Sequence, residues 1–144
     1  MALTDSANAD DFAHFNFRAI VPVAGWPVWD PQVVVPTMYI QGITDAEREH
    51  GDGKAAVDKI AQVNQCDTGP SASEPTQPYL AEPYAVGACN SLHDGDPVSA
   101  GCRVYEGCEV PTVWCRHDDS DYGGTFHGLP CFYKQAMYDF FESL

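Results

Sequence analysis

Two residues in this chain have surroundings that suit acid–base chemistry, a histidine on a glycine-flanked loop and an aspartate just beyond a strand. His127 lies in Gly123-Gly-Thr-Phe-His-Gly-Leu-Pro130, and flanking glycines let a loop bring an imidazole close to a partner. Asp45 follows the apolar segment 37–41 by four residues, where the carboxyl end of a parallel strand gathers functional groups. A carboxylate that accepts one imidazole N–H fixes the tautomer, so that the other nitrogen can take a proton. His127 is therefore a candidate general base, and Asp45 is a candidate for the carboxylate that orients it.

Other histidines and acids are weaker candidates on the residues alone. His117 is the rival base, but its position at the edge of a strand and its acidic neighbours favour a structural or surface role. Asp45 by itself could simply cap a turn. An acidic turn after His117 could suggest calcium, but it lacks the EF-hand spacing with a distal glutamate and is expected to be solvated; its members are Asp118, Asp119 and Asp121. The remaining histidines are expected to be ordinary surface residues; they are His14, His50 and His93.

The apolar pattern predicts strands and helices that could position these residues. Continuous apolar runs over 17–23, 37–41 and 112–115 suit buried strands, the first ending at Pro22. Apolar residues at three- and four-residue spacing predict a helix over 54–64 and another from Phe132 to the end of the chain. The order strand, strand, helix, strand, helix predicts an α/β fold with a parallel sheet and flanking helices.

The cysteines predict disulfides. The chain has six, an even number in a loop-rich region, which is typical of an oxidising compartment; they are Cys66, Cys89, Cys102, Cys108, Cys115 and Cys131. Six cysteines allow about 15 connectivities, and the spacing does not choose among them. The short knuckles of zinc sites are absent. Residues 65–103 show no periodicity, and we expect an irregular insertion that is stapled by its cysteines.

Length and charge limit the classes of function. One domain is expected for 144 residues, and 21 acidic against 7 basic residues give a net charge of −14. So few cations predict no nucleic-acid partner and no binding to anionic membranes. No apolar run approaches the roughly 18 residues of a membrane span. The first residues do not form a signal peptide, so with disulfides expected, we expect the natural N-terminus to be missing.

The segment from Pro111 to Cys131, with the helix after it, resembles the C-terminal end of fungal feruloyl esterases. These belong to the polyhydroxybutyrate-depolymerase-like group of secreted esterases. The family's Thr-x-His-Gly-x-Pro-Cys-Phe pattern begins here at Thr125, with Leu129 where an aromatic residue is more usual. The stretch from Tyr39 to Asp45 looks like the H-G-x-x-D stretch of α/β-hydrolases, with Gln41 in place of its histidine.

The resemblance implies a secreted α/β-hydrolase with a Ser-Asp-His triad. Asp45 and His127 would be its catalytic acid and base, with no metal or organic cofactor. The implied substrates are ester groups of plant cell-wall polysaccharide, above all feruloylated arabinoxylan.

The nucleophile of that machinery has no counterpart in this sequence. Such hydrolases carry serine in G-x-S-x-G, before the aspartate in the chain. Ser6 is the one serine before Asp45, and it lacks the flanking glycines. We therefore expect residues 1–144 to be the C-terminal part of an esterase domain, without the half that carries the nucleophile elbow, and to be marginally stable.

Three alternatives stay open from the sequence. One is an esterase of the same group that acts on acetylated xylan or polyhydroxybutyrate. Another is a disulfide-stapled module that binds carbohydrate without catalysis, through Trp26, Trp29 and Trp114. The third is a truncated product with no activity.

Overall fold

The computed structural model describes residues 18–23, 33–43, 45, 50–68, 77–79, 101–117 and 133–144. Within these ranges the protein is a mixed α/β structure. Its elements are β1 (Thr37–Gly42), α1 (His50–Val63), β2 (Gln77–Pro78), β3 (Gly101–Val104), β4 (Thr112–His117) and α2 (Tyr133–Glu142).

The strands form one sheet in the order β1-β4-β3-β2. β1 and β4 run parallel, with Thr37 opposite Thr112 and Gly42 opposite His117. β3 is antiparallel to β4, and β2 is antiparallel to β3. The predicted parallel pairing is therefore present, together with an antiparallel part that the apolar pattern does not predict, since β2 and β3 lie largely within the stretch 65–103.

Residues 20–23 extend the sheet beyond β1 in the parallel direction. Ile20 bridges Thr37, and Val23 bridges Ile40. The main-chain N–H of Met38 donates to the Ile20 carbonyl at 3.1 Å, and that of Ile40 donates to the Pro22 carbonyl at 3.0 Å. Pro22 has no N–H to donate but accepts normally, so bridging continues past the proline where the strand was expected to end.

Both faces of the sheet are covered, which explains why β1 and β4 are buried along their whole length. Alternate residues point to opposite faces. One face packs on α2 in a cluster that includes Met38, Ile40, Val113, Cys115 and Phe140. The other face packs on α1 in a cluster that includes Tyr39, Val57, Ile60, Ala61 and Trp114.

Two disulfides join described residues. Cys66–Cys108 ties the end of α1 to the turn before β4, and Cys102–Cys115 links directly opposed residues of β3 and β4. The predicted disulfides are confirmed for these four cysteines, whereas Cys89 and Cys131 lie outside the described residues. Disulfides of this kind suit an oxidising environment. Among the described residues, no helix is long and apolar enough to cross a membrane.

Candidate functional site

The carboxyl ends of β1 and β4 meet at one edge of the sheet. Gly42 and His117 are register partners in the parallel pair. The N–H of Ile43 donates to the His117 carbonyl at 2.7 Å, so the turn after β1 is tied to the last residue of β4. The two segments that leave these strands therefore start side by side, and the first of them carries Asp45.

Asp45 lies at this edge with only 7% of its surface exposed. Its charge raises the pKa of Tyr39, which lies on the face of the sheet that α1 covers. Burial, and then the negative charges of Asp45 and Asp52, raise the pKa of the Tyr39 hydroxyl to about 12. Asp45 and the first turn of α1, which holds Asp52, are thus within electrostatic reach of a single hydroxyl.

His127 lies outside the described residues, so the structure does not test whether its imidazole meets Asp45. The acidic turn of Asp118, Asp119 and Asp121 also lies outside them. The described chain stops at His117, at the end of β4, and resumes at α2. The structure therefore positions the strand that leads into the His127 segment but not that segment itself.

His117 is a buried residue, with 1% of its surface exposed. The surface role considered for it is wrong, and the structural role fits. The cause is its place in the sheet, since it is the last residue of a strand that is covered on both faces.

Arg116, which the sequence pattern did not single out, is a buried polar residue at the same edge, together with Gln41. They are register partners on the α1 face of the sheet. The Arg116 guanidinium carbon lies 4.8 Å from the centre of the Trp114 ring, a cation–π distance. Strand periodicity could have found this contact, because residues two apart in a strand share a face.

Lys54 is a second cation near the same ring, 5.8 Å from its centre. Its ammonium donates to Asp58 at 2.6 Å, one turn further along α1. Asp58 also accepts from the Tyr105 hydroxyl at 2.8 Å. This network joins α1 to the segment before β4, and we assign it to the support of Trp114 rather than to the site.

Gly53 allows α1 to approach the end of β1 closely. A Cβ atom at this position would lie 1.2 Å from Oε1 of Gln41 and 2.3 Å from its Cδ. The buried carboxamide of Gln41 therefore lies directly against the glycine, in the first part of α1.

The described residues include no group of three or more histidine, cysteine, aspartate or glutamate side chains placed to hold a metal ion. The edge instead offers a buried carboxylate beside the ends of two parallel strands. Such a carboxylate can accept an imidazole N–H and hold the ring in one orientation. No protein-family model matches this chain, and no curated protein is significantly similar to it.

Proposed function

We propose that this chain supplies the acid and the base of a serine carboxylesterase. Asp45 orients the imidazole of His127, and the serine comes from polypeptide outside this sequence. The observation that carries the proposal is the pairing of β1 with β4. It brings together the ends of the two strands that Asp45 and His127 follow in the sequence, which supports the proposal.

The topology supports an α/β-hydrolase arrangement as the setting for this pair. Residues 20–23, β1 and β4 are parallel neighbours in the sheet, in the same order as in the chain, with β2 and β3 between β1 and β4 in the sequence. Hydrolases of that fold carry their triad in the order serine, aspartate, histidine. Asp45 follows β1 and His127 follows β4, so the aspartate precedes the histidine as in that order, and the two strands that they follow are adjacent.

In the proposed reaction, serine Oγ attacks the ester carbonyl while its proton moves to Nε2 of His127. The carbonyl electron pair moves onto oxygen, and Asp45 accepts the N–H at Nδ1 and stabilises the imidazolium. When the carbonyl re-forms, the alcohol oxygen of the sugar leaves and takes the proton from Nε2. Water then repeats these steps on the acyl-enzyme and releases the carboxylic acid.

We take feruloylated arabinoxylan as the substrate class and secretion as the localisation from the resemblance of 111–132 to feruloyl esterases. The two disulfides among the described residues are compatible with secretion. Esters of acetylated xylan or polyhydroxybutyrate are the alternatives within the same chemistry.

A carbohydrate-binding module is less well supported, because one of its three tryptophans is inaccessible. Trp114 is completely buried between the sheet and α1 and cannot stack on a sugar ring. Trp26 and Trp29 lie outside the described residues. A pull-down of the purified chain on insoluble xylan tests this alternative, for which retention that is lost in a Trp26→Ala, Trp29→Ala double variant is the supporting result.

The acid–base pair can be tested without the nucleophile, by nitrogen-15 NMR of the histidine side chains. The two nitrogen shifts report which atom carries the proton. We expect neutral His127 to hold its proton at Nδ1 and to lose this preference in Asp45→Asn, because an amide replaces the accepting carboxylate. Asp67→Asn is the control, since it removes an exposed carboxylate at the far end of α1. An unchanged His127 tautomer in Asp45→Asn refutes the proposed pair.

Catalysis itself is tested with methyl ferulate and p-nitrophenyl acetate. The purified chain should hydrolyse neither faster than buffer, because its sequence has no G-x-S-x-G. Translated coding DNA upstream of Met1 should contain that motif, and the longer product should be active and lose its activity in His127→Ala. Turnover by the 144-residue chain alone that disappears in His127→Ala would contradict the assignment of the nucleophile to another segment.

A further inference from the structure

The contact between Gln41 and Gly53 joins the two elements that surround the acid of the site. Gln41 is the next-to-last residue of β1, and Asp45 follows it by four residues. Gly53 lies in the first part of α1, next to Asp52. The contact therefore sets how closely the start of α1 approaches the end of β1.

The geometry at this contact leaves no space for a larger residue. A Cβ atom at position 53 would come within 3 Å of three atoms of the Gln41 carboxamide, namely Oε1, Cδ and Nε2. Gln41 is almost fully buried, so moving its carboxamide aside would disturb the packing around it. Gly51, two residues earlier in the same helix, is exposed, and a Cβ there would meet nothing within 4 Å.

Tyr39 links this contact to the acid. It lies on the same face of β1 as Gln41, two residues earlier, and packs against α1. The charges of Asp45 and Asp52 both act on its hydroxyl. Asp45, Asp52 and the Gln41–Gly53 contact thus lie in one region around Tyr39.

We propose that Gln41 is a positioning residue, whose side chain, seated against Gly53, spaces α1 from the end of β1 and so fixes the turn that holds Asp45. The importance of that turn for catalysis rests on the proposed function. The spacing itself does not, and it can be measured separately.

The experiment follows the side-chain carboxyl carbon of Asp45 by NMR after carbon-13 labelling of aspartate. The variants are Gly53→Ala, Gln41→Ala and the combination of both, with Gly51→Ala as the matched control. Gly53→Ala should shift the Asp45 resonance and lower the melting temperature by roughly 5 °C, since overpacking displaces Gln41. Gly51→Ala should leave the resonance in place and raise the melting temperature by about 2 °C, because alanine favours the helix.

The double variant and a conservative variant separate positioning from simple damage to the fold. If both single changes act through the contact of Gln41 with Gly53, the Asp45 resonance of the double variant should match that of Gln41→Ala alone. The melting temperature of the double variant should be higher than that of Gly53→Ala. Gln41→Met, which has similar length, should keep the wild-type resonance.

An Asp45 resonance that stays in place in Gly53→Ala and Gln41→Ala overturns the proposal, even where both variants melt early, because Gln41 would then only fill space. The effect of Asp45→Asn on the His127 tautomer is read independently. If Asp45→Asn leaves the His127 tautomer unchanged, the proposed function is refuted, but the positioning of Asp45 by Gln41 is not.

Discussion

Gly42 and His117 end neighbouring parallel strands as register partners, and the next residue after Gly42 donates its N–H to the His117 carbonyl at 2.7 Å. This relationship joins the ends of the two strands that Asp45 and His127 follow in the sequence. About 70 residues separate the two strands in the chain, so their pairing depends on what holds each end of the sheet. The predictions below test those supports.

Asn64 lies near the start of β1 and β4, and of the polar residues there its substitution should destabilise the protein most. Its Nδ2 donates to the Val35 carbonyl at 2.9 Å and to Thr112 Oγ1 at 2.8 Å, and its Oδ1 accepts from the Val35 N–H at 3.1 Å. Asn64→Ala removes all three hydrogen bonds, although the Val35 carbonyl still accepts from Thr37 Oγ1 and Thr112 Oγ1 still donates to the Val110 carbonyl. The change should cost about 2 to 4 kcal/mol of unfolding free energy in a urea titration. Gln62→Ala, at an exposed position near the end of α1, should cost less than about 0.5 kcal/mol. A loss for Asn64→Ala no larger than for Gln62→Ala would show that the three hydrogen bonds contribute little.

Phe140 and Phe141 are adjacent in α2 and should differ sharply in their contribution to stability. Phe140 is completely buried against the sheet, whereas 37% of Phe141 is exposed. Phe140→Ala should lower the unfolding free energy by about 3 to 5 kcal/mol, because it leaves a cavity under β1 and β4. Phe141→Ala should cost about 1 kcal/mol. Equal losses of unfolding free energy for the two variants, in thermal or urea unfolding, would contradict the packing of Phe140 rather than Phe141 against the sheet.

Tyr39 should make the protein sensitive to alkali. Its pKa rises from 10.0 to about 12 in the folded state, so the folded protein holds the proton more tightly than the unfolded chain does. The resulting stability is complete below pH 10 and is lost as the pH rises from 10 to 12, by about 3 kcal/mol in total. Tyr39→Phe should remove most of this pH dependence in denaturant unfolding at pH 8, 10 and 11. Tyr79, whose pKa burial also raises, accounts for part of the remainder.

Tyr138 provides the control for that measurement, since 60% of it is exposed at the surface of α2. Tyr138→Phe should keep the alkaline loss of the wild type. An identical loss in Tyr39→Phe would assign the effect to other groups.

The two disulfides among the described residues should be reduced in a fixed order under native conditions. Cys102 and Cys115 are completely buried, whereas Cys108 is partly exposed, so a thiol reaches the Cys66–Cys108 bridge first. Limited dithiothreitol followed by iodoacetamide and peptide mapping should label Cys66 and Cys108 before the other pair. This bridge closes a loop of 42 residues, and the chain-entropy model gives a loss of about 4 kcal/mol when it opens. Labelling of Cys102 and Cys115 first would contradict the prediction from the burial of these two cysteines. In denaturant, the difference in labelling between the two pairs should disappear.

The elements that carry the site could largely be predicted from the sequence. Continuous apolar runs predict β1 and β4, and apolar residues at helical spacing predict α1 and α2. The core position of Trp114 also follows from its place in an apolar run, and the structure confirms it. These properties are local, because the spacing of apolar residues reports which face of a segment is buried.

The tertiary structure decided which elements meet. The pairing of β1 with β4 and the bridge Cys66–Cys108 join residues that are remote in sequence, whereas the bridge Cys102–Cys115 spans 13 residues between the paired strands β3 and β4. The contact of Gln41 with Gly53 likewise forms only when α1 packs on β1. Periodicity cannot predict such contacts, since many pairings bury the same apolar faces. Only the packed molecule selects one register and so ties Ile43, two residues before the buried Asp45, to the last residue of β4.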